Sequence, residues 1–150
     1  MRRLLLAVLL LAATPLLAVD TGKADGRVVL NGKTFRVTQS YAWEEEGAVI
    51  VFLTDKPLAK DADPRPFAEA APPGMQAVTI YFDSSDDAKV RRIVVQHADG
   101  VFTIDEPQAG MMLQTDDDAI EGNISVTGTT TSPAGAKVRI RVAFNAEFSE

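Results

Sequence analysis

Cysteine is absent from the chain, and histidine occurs once, as His97. The fold is therefore expected to rest on packing without disulfides. Zinc centres are built from thiolates and imidazoles, so one imidazole disfavours zinc. A Ser-His-Asp triad needs its histidine beside a nucleophilic serine, and none of the serines lies in a nucleophile-elbow pattern. We interpret His97 as a structural residue and predict no catalytic residues and no enzyme activity.

Basic residues are also fewer than acidic ones. The chain has 15 basic and 21 acidic residues, a formal net charge of −6. Nucleic acids and anionic membranes attract proteins with a basic footprint, so this composition argues against both as partners. The glycines are scattered as turn residues and do not form a phosphate-binding loop. We therefore expect no cofactor.

A long hydrophobic run occurs only at the N-terminus, in MRRLLLAVLLLAATPLLA. Two arginines precede an apolar core from Leu4 to Ala13, which is shorter than the roughly 20 residues of a membrane span. This layout predicts a signal peptide at residues 1–18, with a retained anchor as the alternative. Cleavage would leave 132 residues with 13 basic and 21 acidic side chains, a net charge of −8. We expect a periplasmic or secreted protein without stable membrane insertion.

Turn signals between short apolar runs predict β-hairpins. Asn31-Gly32 indicates a type I′ turn that pairs Val28 with Phe35. Asp99-Gly100 indicates a second turn, which would place His97 opposite Phe102. Residues 19–25 are predicted to be flexible, and residues 26–150 to form a single β-rich domain.

The last strand has the clearest pattern, because apolar residues alternate with mostly polar ones such as Lys137, Arg139 and Arg141. Ala48 to Thr54 is continuously apolar and is predicted to be covered on both faces. The proline-rich residues 59–74 predict a loop or a short helix. Together these features predict an all-β fold, an antiparallel sandwich or small barrel of about seven or eight strands. The alternating apolar residues are Val138, Ile140, Val142, Phe144, Ala146 and Phe148.

An aromatic pair stands just before three glutamates. Tyr41 and Trp43 share their strand parity with Phe35 and Val37, so we predict that they face the same core. The alternative is a binding patch, because Trp and Tyr are favoured at interfaces. That candidate binding site consists of Tyr41, Trp43, Glu44, Glu45 and Glu46.

Carboxylates form further clusters without a defining spacing. The segment DDDAIEGN lacks the calcium-loop pattern of an EF-hand, and a solvated loop is the main interpretation. A weak calcium site at Asp116, Asp117, Asp118 and Glu121 is one alternative. A hydrolase with a pair of Asp or Glu carboxylates is another, although nothing selects two of them.

Four segments together resemble a family of uncharacterised secreted or periplasmic β-rich proteins of Gram-negative bacteria. They are NGKTF, YAWEE, VIVFLTDKPL and the closing V.F.AEF strand. The resemblance implies an exported β-rich domain and no activity. We therefore expect an exported, non-catalytic binding or envelope-associated protein, whose partner is an unidentified protein or small ligand of the envelope.

Overall fold

The computed structural model describes residues 19–84 and 89–150, so the predicted signal peptide lies outside it. The described chain is all-β, with one antiparallel sheet in the order β6-β5-β4-β3-β2-β1-β9-β8-β7. None of its helices is long and apolar enough to span a membrane. The elements are β1 Lys23–Leu30, β2 Lys33–Glu45, β3 Ala48–Thr54, α1 Arg65–Glu69, β4 Ala77–Asp83, β5 Val90–His97, β6 Gly100–Asp105, β7 Ala109–Thr115, β8 Ala119–Thr131 and β9 Ala134–Glu147.

The sheet curls into a half-barrel because β6 and β7 lie along the same side of β8. Thr103 of β6 bridges Ser132, immediately after β8, and Ala109 of β7 pairs with Val126. The Thr103 amide donates to the Ser132 carbonyl over 2.8 Å. The β6 end of the sheet is thereby held against β8.

Asp105 reinforces this seam. Its carboxylate accepts hydrogen bonds from Arg92 Nε at 2.8 Å and from the Thr131 hydroxyl at 3.1 Å. These two donors favour the ionised form, so they hold the pKa of Asp105 below its ordinary value. β5, β6 and the end of β8 are therefore joined by side chains as well as by backbone.

The predicted all-β, antiparallel architecture is confirmed, but the described residues form nine strands, more than the seven or eight expected. The strand absent from the sequence-based prediction is β7, AGMMLQT. It contains glycine, which is depleted in strands, and only its last residue is β-branched. Its strand conformation depends on pairing with residues 120–126 of β8.

The inner face of the sheet carries the main hydrophobic core. Val28 pairs with Phe35 across the first hairpin, as predicted, and Asn31 and Gly32 both have positive φ. The alternation of β9 is also confirmed, because its apolar side chains are buried while the intervening ones are exposed or half-buried. β3 is buried on both faces along nearly its whole length. The local patterns therefore predicted these inner-face residues correctly.

Two boundaries differ from the prediction. His97 pairs with Gly100, and Phe102 pairs with Val95, so the second turn comprises residues 98–99 and the predicted register is wrong by two residues. A two-residue slip keeps every side chain on its face, so the buried set is unchanged. β1 begins at Lys23, three residues before the predicted start of the domain, and Lys23 pairs with Asn145 of β9.

A second, smaller hydrophobic cluster lies on the outer face, beneath residues 55–76. Trp43, Ile50 and Phe52 of the sheet pack there with Ala68 of α1. The short helix confirms the expectation for residues 59–74. Gln96 holds this segment down, because its Oε1 accepts from the Ala71 amide at 2.6 Å and its Nε2 donates to the Ala68 carbonyl at 2.8 Å. One half of the outer face is thus covered.

Candidate functional site

The aromatic pair does not share a face with Phe35 and Val37, which corrects the prediction. Between β1 and β2 the register shifts, since Gly26 pairs with Val37 but Lys23 pairs with Gln39. Between these two pairs the chain advances three residues along β1 but only two residues along β2. Such an irregularity exchanges the faces of the side chains beyond it. The aromatic pair therefore enters the outer cluster.

Packing and hydrogen bonds occupy both aromatic side chains. Trp43 is 3% exposed, and its Nε1 lies 3.4 Å from Glu45 Oε2, to which it donates. The Tyr41 hydroxyl accepts a 2.9 Å hydrogen bond from the Leu58 amide, and its ring centroid lies 6.2 Å from that of Phe52. These contacts join β2 to the segment that covers it. A ligand would not reach Trp43 without a rearrangement of that segment, whereas Tyr41 is half-buried.

The three glutamates beside this pair are exposed at the turn between β2 and β3. Glu46 and Gly47 both have positive φ, as a tight hairpin turn requires. An open groove of 450 Å³ lies between the glutamates and Ser84, whose hydroxyl donates to the Gly47 carbonyl over 2.6 Å. Binding at this five-residue site stays a prediction, and the glutamates Glu44, Glu45 and Glu46 are its accessible part.

The acidic loop between β7 and β8 uses one carboxylate for its own backbone. Asp116 Oδ1 accepts from the amides of Asp118 and Ala119, each at 2.8 Å. Asp117 and Glu121 are exposed. In residues 19–84 and 89–150, no group of three or more His, Cys, Asp or Glu side chains is placed to hold a metal ion. The calcium alternative therefore gains no support from the geometry.

His97 occupies a structural position at the end of β5. Its side chain is 10% exposed, and its ring centroid lies 6.0 Å from that of Phe35. Nδ1 accepts a 3.1 Å hydrogen bond from the Asp99 amide, which closes the turn. The carboxylate of Asp99 in turn accepts from Lys33 over 2.7 Å, and this contact is the main cause of its lowered pKa. These contacts of His97 and Lys33 with Asp99 stabilise the turn between β5 and β6.

The uncovered half of the outer face carries a cluster that sequence analysis did not identify. We call the outward-facing side of β1, β9, β8 and β7 the open outer face. Arg27 of β1 pairs with Arg36 on one side and Arg141 on the other. Three arginines thus form one row across β2, β1 and β9. Lys137 and Arg139 extend the positive charge along β9, at alternate exposed positions.

Most of these cations form no ion pair with another described residue, although Asp25 lies two positions before Arg27 on the same face of β1. Arg36 forms a 2.7 Å ion pair with Asp25. Arg27, Lys137, Arg139 and Arg141 make no ion pair within the described part of the chain. Like charges directly opposite each other in a sheet are destabilising. The row of arginines therefore opposes folding, and an anion bound across it would relieve the repulsion.

Two shallow grooves follow the cations along β8 and β9. One has a volume of 470 Å³ and is lined by Arg141, Ser125 and Met112, among others, and also by the acidic residue Asp25. The other has a volume of 380 Å³ and includes Arg139 and Thr127. Hydroxyl groups and guanidinium groups therefore line the same surface. It offers hydrogen-bond donors to an anion, together with acceptors for neutral polar groups.

The sequence alone indicates part of this cluster of basic side chains. The string KVRIRV has basic residues at its three outward positions, 137, 139 and 141, and this pattern alone indicates only the polar side of an amphipathic strand. The alignment of Arg27 and Arg36 with Arg141 requires the pairings of three strands. No protein-family model and no curated protein matches the chain. Its function is therefore inferred from this geometry.

Proposed function

We propose that the chain is an exported, non-catalytic binding protein of the cell envelope, related to the secreted β-rich family that its sequence resembles. The open outer face is its binding surface. The observation that carries this proposal is the row of Arg36, Arg27 and Arg141, continued by Arg139. These four side chains lie at neighbouring exposed positions, where their positive charges repel one another. An anionic partner would relieve that repulsion, so a binding role accounts for the arrangement.

The uneven covering of the sheet supports the same assignment. Residues 55–76 and α1 protect the outer side of the strands around β3, where Gln96 and Tyr41 hold them in place. The outer side of β1, β9 and β8 has only exposed or half-buried side chains at its alternate positions. A rigid, fully paired sheet presents these side chains without a cost for ordering loops. The curled sheet thus acts as a scaffold for one exposed surface on its outer side.

The partner is a protein or a small ligand of the envelope. The acidic excess of the chain, 21 acidic against 15 basic residues, continues to argue against nucleic acid and anionic lipid surfaces. Three of the described carboxylates, those of Asp116, Asp99 and Asp105, serve a turn or an ion pair, which supports binding over the hydrolase alternative. Binding without catalysis is therefore the function we propose.

A photoreactive phenylalanine derivative placed at Ser125 is expected to cross-link a discrete partner in envelope extract. Ser125 is exposed on β8 and pairs with Arg141, so it lies within the proposed surface. The same derivative at exposed Ala59, in the covering segment, is the matched control and should give no discrete adduct. Adducts are compared by gel shift and identified by mass spectrometry.

Equal labelling from Ser125 and Ala59 would show that the open outer face is not the binding surface. Turnover in a broad hydrolase screen that disappears when a single Asp or Glu is replaced would show that the protein is an enzyme. Each of these results contradicts a different part of the proposal.

The mature protein is expected outside the cytoplasm with an N-terminus at or near Val19. The basic residues and short apolar core of the first 18 residues match a signal peptide, which a peptidase removes during export. Fractionation of the native host followed by N-terminal sequencing measures both location and cleavage. An extracytoplasmic protein that still begins at Met1 would favour the retained anchor, and a cytoplasmic one would contradict export.

A further inference from the structure

We propose that the open outer face binds an extended, acidic peptide segment of a partner protein, with the segment running along β9. This inference rests on the proposed function and specifies its ligand. The cations that would hold the segment are Lys137, Arg139 and Arg141, with Arg27 beside them on β1.

The spacing of the cations matches an extended peptide. Lys137, Arg139 and Arg141 occupy alternate positions of one strand, and all three are exposed. Alternate residues of a strand are about 6.8 Å apart, since each residue rises about 3.4 Å. A partner in the same extended conformation repeats its side chains at the same interval. Acidic residues at every second position would therefore meet one cation each along the length of β9.

The chemistry of the cations favours carboxylates. Arginine has a planar fork of donors that binds a carboxylate through two parallel hydrogen bonds. Arg139 and Arg141 make no side-chain ion pair with other described residues, so their forks are available. The grooves beside them supply the hydroxyls of Thr127 and Ser125 for the polar groups between the carboxylates.

The extent of the patch favours a short segment over a long polyanion. Exposed Glu121 and Glu147 lie toward the other end of β8 and β9, and Asp25 is already bound to Arg36. The chain as a whole is acidic. A nucleic acid or an anionic membrane would extend past the cations into this negative surface and be repelled. A few acidic residues fit within the positive area.

Fluorescence anisotropy with a labelled octapeptide of alternating glutamate and serine tests the inference on the mature chain. We expect saturable binding that is weakened by salt near 1 M, where the Debye length is about 3 Å. The octapeptide with glutamine in place of glutamate should not bind. The double variant Arg139→Gln, Arg141→Gln should bind at least about tenfold more weakly, the effect of losing a charge-assisted hydrogen bond.

The double variant Lys60→Gln, Arg65→Gln removes the same charge from the segment that covers the other half of the outer face, outside the proposed surface, and should bind like the unaltered protein. Equal weakening by both double variants would overturn the inference, because binding would then follow net charge. Polygalacturonate or vesicles with anionic lipid binding through Arg139 and Arg141, while the peptide does not, would also overturn it. If Ser125 cross-links a partner but no acidic peptide binds, the ligand assignment fails and the proposed function stands.

Discussion

Trp43→Ala is expected to lower the free energy of unfolding by about 3–5 kcal/mol, the usual cost of removing a large aromatic side chain from a core. The side chain is 3% exposed and packs between β3 and the segment that contains α1. Its loss would leave a cavity in the outer cluster, where apolar groups of the covering segment pack against the sheet. Denaturant unfolding of the variant and the parent measures the difference.

The fluorescence of the parent provides an independent check, because Trp43 is the only tryptophan. Emission should be blue-shifted in the folded protein and move to longer wavelength on unfolding. Met112→Ala is the control, since Met112 is 63% exposed and surface changes usually stay within about 0.5 kcal/mol. Red emission from the folded parent, with equal small effects for the two substitutions, would place Trp43 in a binding patch.

Gly26→Ala should destabilise the fold by about 3 kcal/mol, the upper part of the usual range for overpacking. A Cβ built on Gly26 would lie 2.5 Å from Val142 Cβ and 2.7 Å from Val142 Cα. The close contact includes backbone, so a rotamer change of Val142 does not relieve it. β1 and β9 would have to separate next to the register shift that places Trp43. Thermal or denaturant unfolding measures the loss.

Gly128→Ala provides a matched control for this substitution. Gly128 is also in a strand, but a Cβ there would meet no atom within 4 Å. The added methyl group should therefore change the free energy of unfolding by about 0.5 kcal/mol or less. Chain entropy favours alanine over glycine at both positions, so an equal change in stability for the two variants would show that the steric explanation for Gly26 is wrong.

Local sequence patterns predicted much of the sheet. Asn31-Gly32 placed its hairpin in the correct register, because only a few residue types accept two consecutive positive φ angles. The alternation in β9 identified the buried face of the longest strand. At Asp99-Gly100 the same reasoning gave the correct face with the turn misplaced. β7 escaped prediction because its residues have little intrinsic preference for a strand.

The candidate sites depended more strongly on tertiary structure. Sequence parity placed Tyr41 and Trp43 with Phe35, and this was wrong because parity assumes an uninterrupted ladder. The register shift lies in the pairing of β1 with β2 between Lys23 and Gly26, whereas β1 pairs with β9 in an uninterrupted register, and the alternation of β2 alone does not show where the shift falls. No local window contains that information.

The sequence by itself determined the all-β class, the first hairpin and the inward side of β9, since turn chemistry and two-residue alternation act between near neighbours. It also contained the signal-peptide pattern and the acidic composition. Only the tertiary structure decided that the sheet curls onto β8, that Trp43 packs beneath α1, and that Arg27 lies between Arg36 and Arg141. Pairing brings those three arginines together from distant positions in the chain, and therefore only the folded sheet displays their charge as one surface.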